Sequence, residues 1–197
     1  MLDDFEGITA AFSFGVGDDA SWDLDIASRS IPTYQYDHTV ENSPVQHPLL
    51  HFRREKIGSD SLASIMSNHS VDAACVLKMD IEGDEWEVLK SATNVDLVKF
   101  RQIICEFHGF DRATLDSQWQ KKATFVIKKL LRSFRVVHLH GNNNEPITKL
   151  GTVKFPSVIE VTFANRSRYL FEKTKASFPT SLDSPNSPER PDLVFHL

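Results

Sequence analysis

Short apolar runs alternate with amphipathic stretches and turn residues along most of the chain. This alternation is typical of strand-helix units around a mostly parallel sheet, because a crossover must return the chain to the same edge between parallel strands. The most apolar run, Ala73 to Met79, predicts a central strand that is buried on both faces. The pattern predicts strands over residues 8–14, 33–36, 49–52, 73–79, 102–107, 136–139 and 158–163, and helices over residues 18–30, 61–67, 85–92 and 118–132.

The last two predicted strands are joined differently from the others. Between them lies Gly141 to Pro156, a segment rich in Asn, Gly and Pro that is too short for a packed crossover helix. We therefore expect a long hairpin loop at this point and an antiparallel final strand. The predicted fold class is α/β, with seven strands and a terminal antiparallel hairpin.

The residues after this sheet differ in composition. Pro179 to Pro191 contains four prolines and several serines without helical or strand periodicity, which favours a flexible tail. Leu193 to Leu197 is apolar enough to dock back onto the domain. We predict one folded domain over residues 1–178 and a Pro/Ser-rich tail over residues 179–197.

Composition and charge narrow the classes of function. The 197 residues carry 22 Lys and Arg against 27 Asp and Glu, a formal net charge of −5, and 41% are hydrophobic. These values fit one soluble domain and lack the uniform positive field of a non-specific nucleic-acid binder. No apolar run approaches the roughly 20 residues that span a bilayer, and residues 1–4 (MLDD) are acidic where a signal peptide is basic. We expect a cytoplasmic protein without a nucleic-acid or membrane partner.

The two cysteines also indicate a cytoplasmic location. Cys75 and Cys105 both lie inside apolar runs. We expect them to be buried and reduced, because small secreted domains use cysteine in disulfide frameworks and this chain has only two.

A glycine turn follows the first predicted strand. Phe14-Gly15-Val16-Gly17 opens a helix, and glycines there let the backbone approach a ligand whose negative end faces helix N–H groups. Asp37 ends the second predicted strand 20 residues after Gly17, where a carboxylate can accept hydrogen bonds from both ribose hydroxyls. Taken alone, each feature also fits an ordinary turn. Together they predict a site for a cofactor that contains a nucleoside.

An acidic cluster follows the central strand. Asp80-Ile81-Glu82-Gly83 lies outside the carboxyl end of that strand, which is where open parallel sheets bind ligands. Asp84 and Glu85 are expected chiefly to begin the next helix, whose N-terminus favours acidic side chains. Asp80 and Glu82 need another explanation, because like charges held close together raise a pKa or recruit a cation.

These motifs resemble a known family. The strings LKMDIEGDEWEVL (residues 77–89), SFGVGDDASWDLDIA (residues 13–27) and YQYDHT (residues 34–39) are similar to FkbM-type methyltransferases and related methyltransferase-like proteins, which use S-adenosylmethionine. CEFHGF, VVHLHGNN and VIEVTFANR, later in the chain, look like the same branch. The resemblance implies a Rossmann-like class I methyltransferase fold and transfer of a methyl group from S-adenosylmethionine.

The resemblance also implies a set of cofactor-binding residues, which are Phe14, Gly15, Gly17, Asp37, Ser61 and Asp80. Within this set Gly15 and Gly17 contact the methionine end, Asp37 contacts the ribose, and Asp80 lies beside the transferred methyl group. Ser61, in the element Asp60-Ser61-Leu62, neighbours the adenine. One position departs from the family pattern, since many class I methyltransferases have an acidic residue where this chain has Ser13. Asp18 and Asp19 are the candidate replacements for it.

The acceptor side needs further groups. Methyl transfer from a sulfonium is an in-line displacement that depends on positioning, and a hydroxyl acceptor also needs a base. Strand alternation puts Glu106 with His108, and His138 with His140, each pair on one face at a strand end. Either a histidine is the general base, with Asp80, Glu106, His108 and His140 as catalytic candidates, or Asp80, Glu106 and His138 bind a divalent metal ion. The acceptor is open between a small molecule and a protein side chain, and the oligomeric state is not predicted.

Two other functions compete with this interpretation. Residues 15–20 (GVGDDA) formally fit a nicotinamide-binding turn, and Tyr169 with Lys173 imitates a Tyr-x-x-x-Lys dyad. That interpretation leaves the acidic cluster and the terminal hairpin unexplained. The other alternative is a non-catalytic domain of the same fold that binds a partner protein or a metal, because fold does not determine function.

Overall fold

The computed structural model describes residues 1–59, 61–71 and 74–196. The strands in chain order are β1 (Ala10–Phe14), β2 (Thr33–Tyr36), β3 (Leu50–Arg53), β4 (Cys75–Met79), β5 (Phe100–Phe107), β6 (Phe134–Gly141), β7 (Ile147–Leu150), β8 (Val153–Pro156), β9 (Ile159–Asn165), β10 (Ser177–Phe178) and β11 (Phe195–His196). Seven of them form one sheet in the order β3-β2-β1-β4-β5-β9-β6. Strands β1 to β5 pair in parallel, and β9 is antiparallel to both of its neighbours. The predicted α/β sheet with its antiparallel terminal hairpin is confirmed.

The helices lie close to the predicted ranges. They are α1 (Ser21–Ser28), α2 (Ser61–Asn68), α3 (Glu85–Ser91), α4 (Asn94–Leu97) and α5 (Ser117–Ser133), with one 3₁₀ helix at Phe110–Thr114. The short helix α4 and the 3₁₀ helix were not predicted. Within the part of the chain that the structure describes, no helix combines the length and apolarity needed to cross a membrane.

The predicted loop between the last two large strands contains structure of its own. β7 and β8 pair as an antiparallel hairpin in which Leu150 is opposite Val153. Gly151, in the two-residue connection, has a φ of 62°, which a hairpin turn requires and glycine adopts readily. The long hairpin loop predicted over residues 141–156 therefore contains a small hairpin of its own, which was not predicted.

The two faces of the sheet are packed differently. One face carries the main core, in which Phe12, Phe14, Leu77 and Phe107 lie with buried residues of α2, α3 and α5. The other face has a small apolar cluster that includes Ala11, and Ser13 and Lys78 lie in register on that same side. Most of the candidate site residues discussed below follow this more polar face.

The cysteines are buried, as the sequence predicts. Cys75 and Cys105 are both fully buried in the main core, and neither forms a disulfide. Burial raises the pKa of Cys75 to about 12 and that of Cys105 well above its ordinary value, which keeps both sulfurs protonated.

The turn after β1 is pressed against the end of β4. A Cβ atom placed on Gly15 would lie 1.6 Å from the carbonyl oxygen of Asp80, and Gly15 has a φ of 80°. Gly17 has a φ of 60° but faces open space, with no atom within 4 Å of such a Cβ among the described residues. Gly15 is therefore required by packing as well as by backbone conformation, whereas Gly17 is required only by conformation.

Asp37, at the end of β2, holds the same turn. Its Oδ2 accepts hydrogen bonds from the backbone N–H groups of Val16 and Gly17 at 2.8 and 2.9 Å. Its Oδ1 accepts from the N–H and hydroxyl of Thr39 at 2.7 and 2.6 Å. Burial by itself would raise the pKa of Asp37, but these bonds outweigh it and lower the pKa to about 2.

The two glycines form a matched pair for mutation. Gly17→Ala should lower the free energy of unfolding by about 1–2 kcal/mol, the cost of a left-handed alanine. Gly15→Ala carries the same cost and also overlaps the Asp80 carbonyl, so we expect a loss of about 3 kcal/mol or more. Urea unfolding of both variants measures the difference. Equal losses of unfolding free energy in the two variants would show that the Asp80 carbonyl does not crowd position 15.

Asp37 predicts how stability changes at low pH. Its pKa of about 2 in the folded chain lies below the ordinary value of 3.8, so its contribution is complete above pH 3.8 and disappears as the pH falls towards 2. That contribution is about 2 kcal/mol. Asp37→Asn should therefore be less stable than the parent protein at pH 5, and the gap should narrow between pH 4 and pH 2 in urea titrations. A gap independent of pH would contradict the assignment.

Candidate cofactor cavity and catalytic rim

One cavity of about 950 Å³ lies where the turns after β1, β2 and β4 meet. Gly15, Gly17, Asp37 and Asp80, four of the predicted cofactor-binding residues, line it. Phe14 lies elsewhere, because strand alternation turns its side chain into the main core, where it is fully buried. The geometry thus joins the glycine turn and the acidic cluster in one cavity, as the sequence predicts.

The Asp37 carboxylate is already engaged in the protein. Two hydrogen bonds reach each of its oxygens, which accounts for about four acceptor sites of a carboxylate. Its role in shaping the glycine turn is visible in the structure and was missed by sequence reasoning. Contact with a ribose stays a prediction, and it requires a hydroxyl to share or replace one of these bonds.

Polar side chains lie directly beneath the glycine turn. Ser13 and Gln35 are fully buried in neighbouring strands, and Asp23 of α1 is also fully buried, with its Oδ1 accepting a 2.9 Å hydrogen bond from the Gln35 amide. Burial raises the pKa of Asp23. Asp18 and Asp19 line the cavity itself. The carboxylate nearest to the Ser13 position thus comes from α1, while the two predicted replacements face the cavity.

Lys78 supplies positive charge at the base of the cavity. Its Nζ donates a 3.1 Å hydrogen bond to the carbonyl oxygen of Gly15, and its side chain lines the cavity. Lys56, the other lysine among the described lining residues, forms an ion pair with Asp84 at 2.9 Å.

The strand ends form an acidic rim beside this cavity. Asp80 directly follows β4, and the register places Glu106 opposite Glu160 and Glu160 opposite His140. Burial raises the pKa of Glu106 to about 7, and the adjacent Asp80 carboxylate adds to the rise. The Asn142 amide approaches Glu106 Oε1 at 3.5 Å. Asp80 and Glu106, which the sequence predicts at one site, therefore lie close together.

Glu85 lies beneath the turn after β4. It is fully buried, and its Oε1 accepts hydrogen bonds from the N–H groups of Ile81 and Gly83 at 3.0 and 3.1 Å. The same oxygen lies 3.0 Å from Nδ1 of His108. Burial by itself would lower the pKa of His108, but the carboxylates around it, Glu85 first, raise it to about 9. The expectation that Glu85 chiefly begins a helix was incomplete, since its carboxylate organises the turn and orients His108.

His138 and His140 do not join this group. β9 lies between β5 and β6, so both histidines are two strands away from Glu106 and His108, roughly 9–10 Å along the sheet. His138 Nε2 pairs with Asp183 at 2.8 Å, and His140 Nε2 lies 3.6 Å from Asp192. The metal set of Asp80, Glu106 and His138 is therefore not brought together, because the antiparallel strand separates its members.

Residues of the predicted tail make these contacts. Besides Asp183 and Asp192, the backbone carbonyls of Ser187 and Arg190 accept hydrogen bonds from the Asn143 amide at 2.9 and 2.8 Å. Phe195, in β11, packs so closely on Gly141 that a Cβ there would lie 2.9 Å from its ring. The segment after residue 178 thus lies against β6 and the loop that follows it.

Two other sequence predictions have different outcomes. Asp60 and the side chain of Ser61 lie outside the described residues, so the adenine contact stays a prediction. Tyr169 and Lys173 follow β9 and are not among the described residues that line the cavity. The dyad of a nicotinamide enzyme is therefore not placed at the glycine turn.

The fold is similar to that of solved structures. The fibrillarin pre-rRNA processing protein of Methanococcus jannaschii matches 80% of this chain and 66% of its own, with 8% identity and a TM-score of 0.50. An S-adenosylmethionine-dependent methyltransferase of Archaeoglobus fulgidus matches 82% of this chain and 88% of its own, with 11% identity and a TM-score of 0.46. At such low identity, the first likeness shows the fold alone.

Sequence relatives lead to a more specific conclusion. "Probable methyltransferase-like protein 24" of Homo sapiens and of Rattus norvegicus are 24% and 25% identical in alignments of 162 positions that cover 68% of this chain. The chain spans less than half of these relatives, 43% and 44% of their lengths. The profile of the family described as "Methyltransferase FkbM domain" matches residues 18–139, which begin directly after the glycine turn and include Asp37 and the whole acidic cluster. Because this match covers more than half of the chain, the protein belongs to the FkbM methyltransferase family.

Proposed function

We propose that this chain binds S-adenosylmethionine in the cavity and methylates a hydroxyl group held at the rim of Asp80, Glu106 and His108. The observation that carries the proposal is the single cavity that the glycine turn, Asp37 and Asp80 line together. Family membership supports methyl transfer as the chemistry. The hydroxyl acceptor and the residue roles are inferred from the side chains at the rim.

The cavity has features that suit this cofactor. The open space in front of Gly17 leaves room for a ligand against the turn, and a side chain there would reduce it. The Lys78 ammonium suits the carboxylate of a methionine group, while Asp37 and Thr39 lie at the end of β2, where a ribose would be bound. When bound, the cofactor supplies an electrophilic methyl group on a sulfonium. Holding donor and acceptor in line is worth up to about 7–11 kcal/mol in favourable cases.

The rim residues would act on the acceptor. In the proposed step the O–H bond of the acceptor breaks and its proton passes to the Glu106 carboxylate, while the acceptor oxygen forms a bond to the methyl carbon. The carbon–sulfur bond breaks and leaves its electron pair on sulfur. Asp80, which contacts Glu106, would orient the acceptor hydroxyl. His140 lies two strands away from Glu106, and its Nε2 is 3.6 Å from Asp192. We therefore do not assign His140 to this proton transfer.

The charge of the cavity restricts the acceptor class. Its described lining contains two lysines and eight carboxylates, which are Asp18, Asp19, Asp37, Glu55, Asp80, Glu82, Asp84 and Glu160. Such a lining repels anionic compounds and favours neutral or cationic ones. We therefore propose a neutral small-molecule hydroxyl or a protein side chain as the acceptor, rather than a nucleic acid.

Cofactor binding tests the first half of the proposal. Isothermal titration calorimetry with S-adenosylhomocysteine should show stoichiometric binding, and Asp37→Ala should weaken it about 10-fold or more, because bonds to a charged group are worth about 1.5–3 kcal/mol. The control is Glu41→Ala, which removes an exposed carboxylate paired with Arg54. Binding of NAD without S-adenosylhomocysteine, or no nucleoside binding, would refute the proposal and favour one of the two alternatives.

Turnover tests the second half. Mass spectrometry should detect a gain of about 14 daltons, the replacement of hydrogen by methyl, on one member of a panel of hydroxyl compounds and peptides. Glu106→Gln should lower the rate of this reaction about 10²–10⁴-fold, the usual worth of a general base, with S-adenosylhomocysteine affinity nearly unchanged. Glu41→Gln is the matched control. A parallel fall in rate and affinity would instead indicate a folding defect.

A further inference from the structure

The buried carboxylate of Glu85 determines how His108 is presented to the rim. Because Glu85 Oε1 already accepts two backbone N–H groups, its contact with His108 Nδ1 at 3.0 Å places a hydrogen on that nitrogen. The side chain of Glu85 is 0% exposed. Its Oε2 has no hydrogen-bond partner among the described residues. Glu85 is thus a fully buried acid whose Oε1 contacts His108 and whose Oε2 has unused acceptor capacity.

The other ring nitrogen of His108 faces two more carboxylates. Nε2 lies 3.5 Å from Glu82 Oε2 and 3.9 Å from Asp80 Oδ1. Asp80 Oδ1 is itself buried without a hydrogen-bond partner in the described part of the chain. A neutral imidazole would aim a lone pair at these oxygens, which is unfavourable. A proton on Nε2 or a metal ion between the three groups would remove this repulsion.

The distances favour a metal ion over a proton. A charge-assisted N–H···O bond has its heavy atoms about 2.7–2.9 Å apart, which is shorter than either separation. Ligand atoms that lie about 2.0–2.2 Å from a common metal ion are separated from one another by roughly 3–4 Å. The separations of His108 Nε2 from Glu82 Oε2 and Asp80 Oδ1, 3.5 and 3.9 Å, lie in this range. Glu82, a non-glycine residue with a φ of 57°, is held beside this cluster by a turn that Glu85 bonds on both sides.

We propose that His108 Nε2 and the carboxylates of Asp80 and Glu82 bind a divalent transition-metal ion, with Glu85 as the outer carboxylate that orients the histidine. A carboxylate that fixes a metal-binding histidine through its other nitrogen is a common arrangement. One imidazole and two carboxylates suit Mn²⁺, Fe²⁺ or Zn²⁺ better than Mg²⁺ or Ca²⁺, which prefer oxygen ligands alone.

This site would serve the reaction proposed above, and its link to catalysis rests on that proposed function. A metal ion at the rim can bind the acceptor oxygen directly and lower the pKa of its hydroxyl group, so that deprotonation occurs near neutral pH. The set replaces the predicted one, since His108, directly after β5, takes the place of His138 on β6, and Glu82 takes the place of Glu106.

Metal binding can be measured without turnover. Protein treated with a chelator and then titrated calorimetrically with MnCl₂ or ZnCl₂ should bind one ion per chain. His108→Ala should lower the affinity at least 100-fold, and Glu85→Gln about 10–100-fold, the usual effect of losing an outer carboxylate. The controls are His51→Ala, an exposed histidine on β3, and Glu87→Gln, which lies on α3 and pairs with lysines. Both should leave the affinity unchanged.

The outcomes separate the two proposals. If the parent protein binds neither ion, or if His108→Ala binds as tightly as the parent, the metal site is refuted. If Glu85→Gln fails to fold by circular dichroism, Asp80→Asn replaces it and should lower the affinity at least 10-fold. S-adenosylhomocysteine binding without metal binding would refute this site and leave the proposed function standing. Metal binding that depends on His108, without S-adenosylhomocysteine binding, would support the site and refute the function.

Discussion

The contact between Gly15 and the carbonyl of Asp80 is the constraint on which the site depends. Any side chain at position 15 would occupy the place of that oxygen, so the turn after β1 and the turn after β4 meet only because one residue has no Cβ. As a result, the glycine turn and the acidic segment after β4 line the same cavity. Parallel pairing of β1 with β4 supplies the alignment, and the glycine allows the final approach.

Two buried carboxylates then hold these turns in place. Asp37 accepts the N–H groups of the turn after β1, and Glu85 accepts those of the turn after β4. Burying a carboxylate is costly, and hydrogen bonds from several donors offset the cost. Asp37 follows β2 but supports the turn after β1, and Glu85 lies on α3 but supports the turn after β4. Both β2 and α3 therefore contribute to the site. Such fixed turns are the preorganised framework that positioning a methyl donor and an acceptor requires.

Much of the fold could be predicted from the sequence because its causes are local. Apolar runs identified the seven large strands, and the short, Asn- and Pro-rich connection identified the antiparallel one. The glycine turn, Asp37 and Asp80 were also found, since spacing along the chain and position after a strand are properties of the sequence. The hairpin β7–β8 was missed because its few residues resemble a loop in composition.

The sequence by itself thus determined the α/β class, the strand ends that form the candidate site and four of the residues that line the cavity. Tertiary structure alone decided which of the acidic and histidine side chains meet. Strand β9 lies between β5 and β6 and therefore separates His138 and His140 from Asp80. Glu85, the first residue of α3, lies beneath the turn that precedes this helix and contacts His108. These partners are set by strand order and helix placement, which depend on packing across the whole chain and leave no mark in the spacing of the residues themselves.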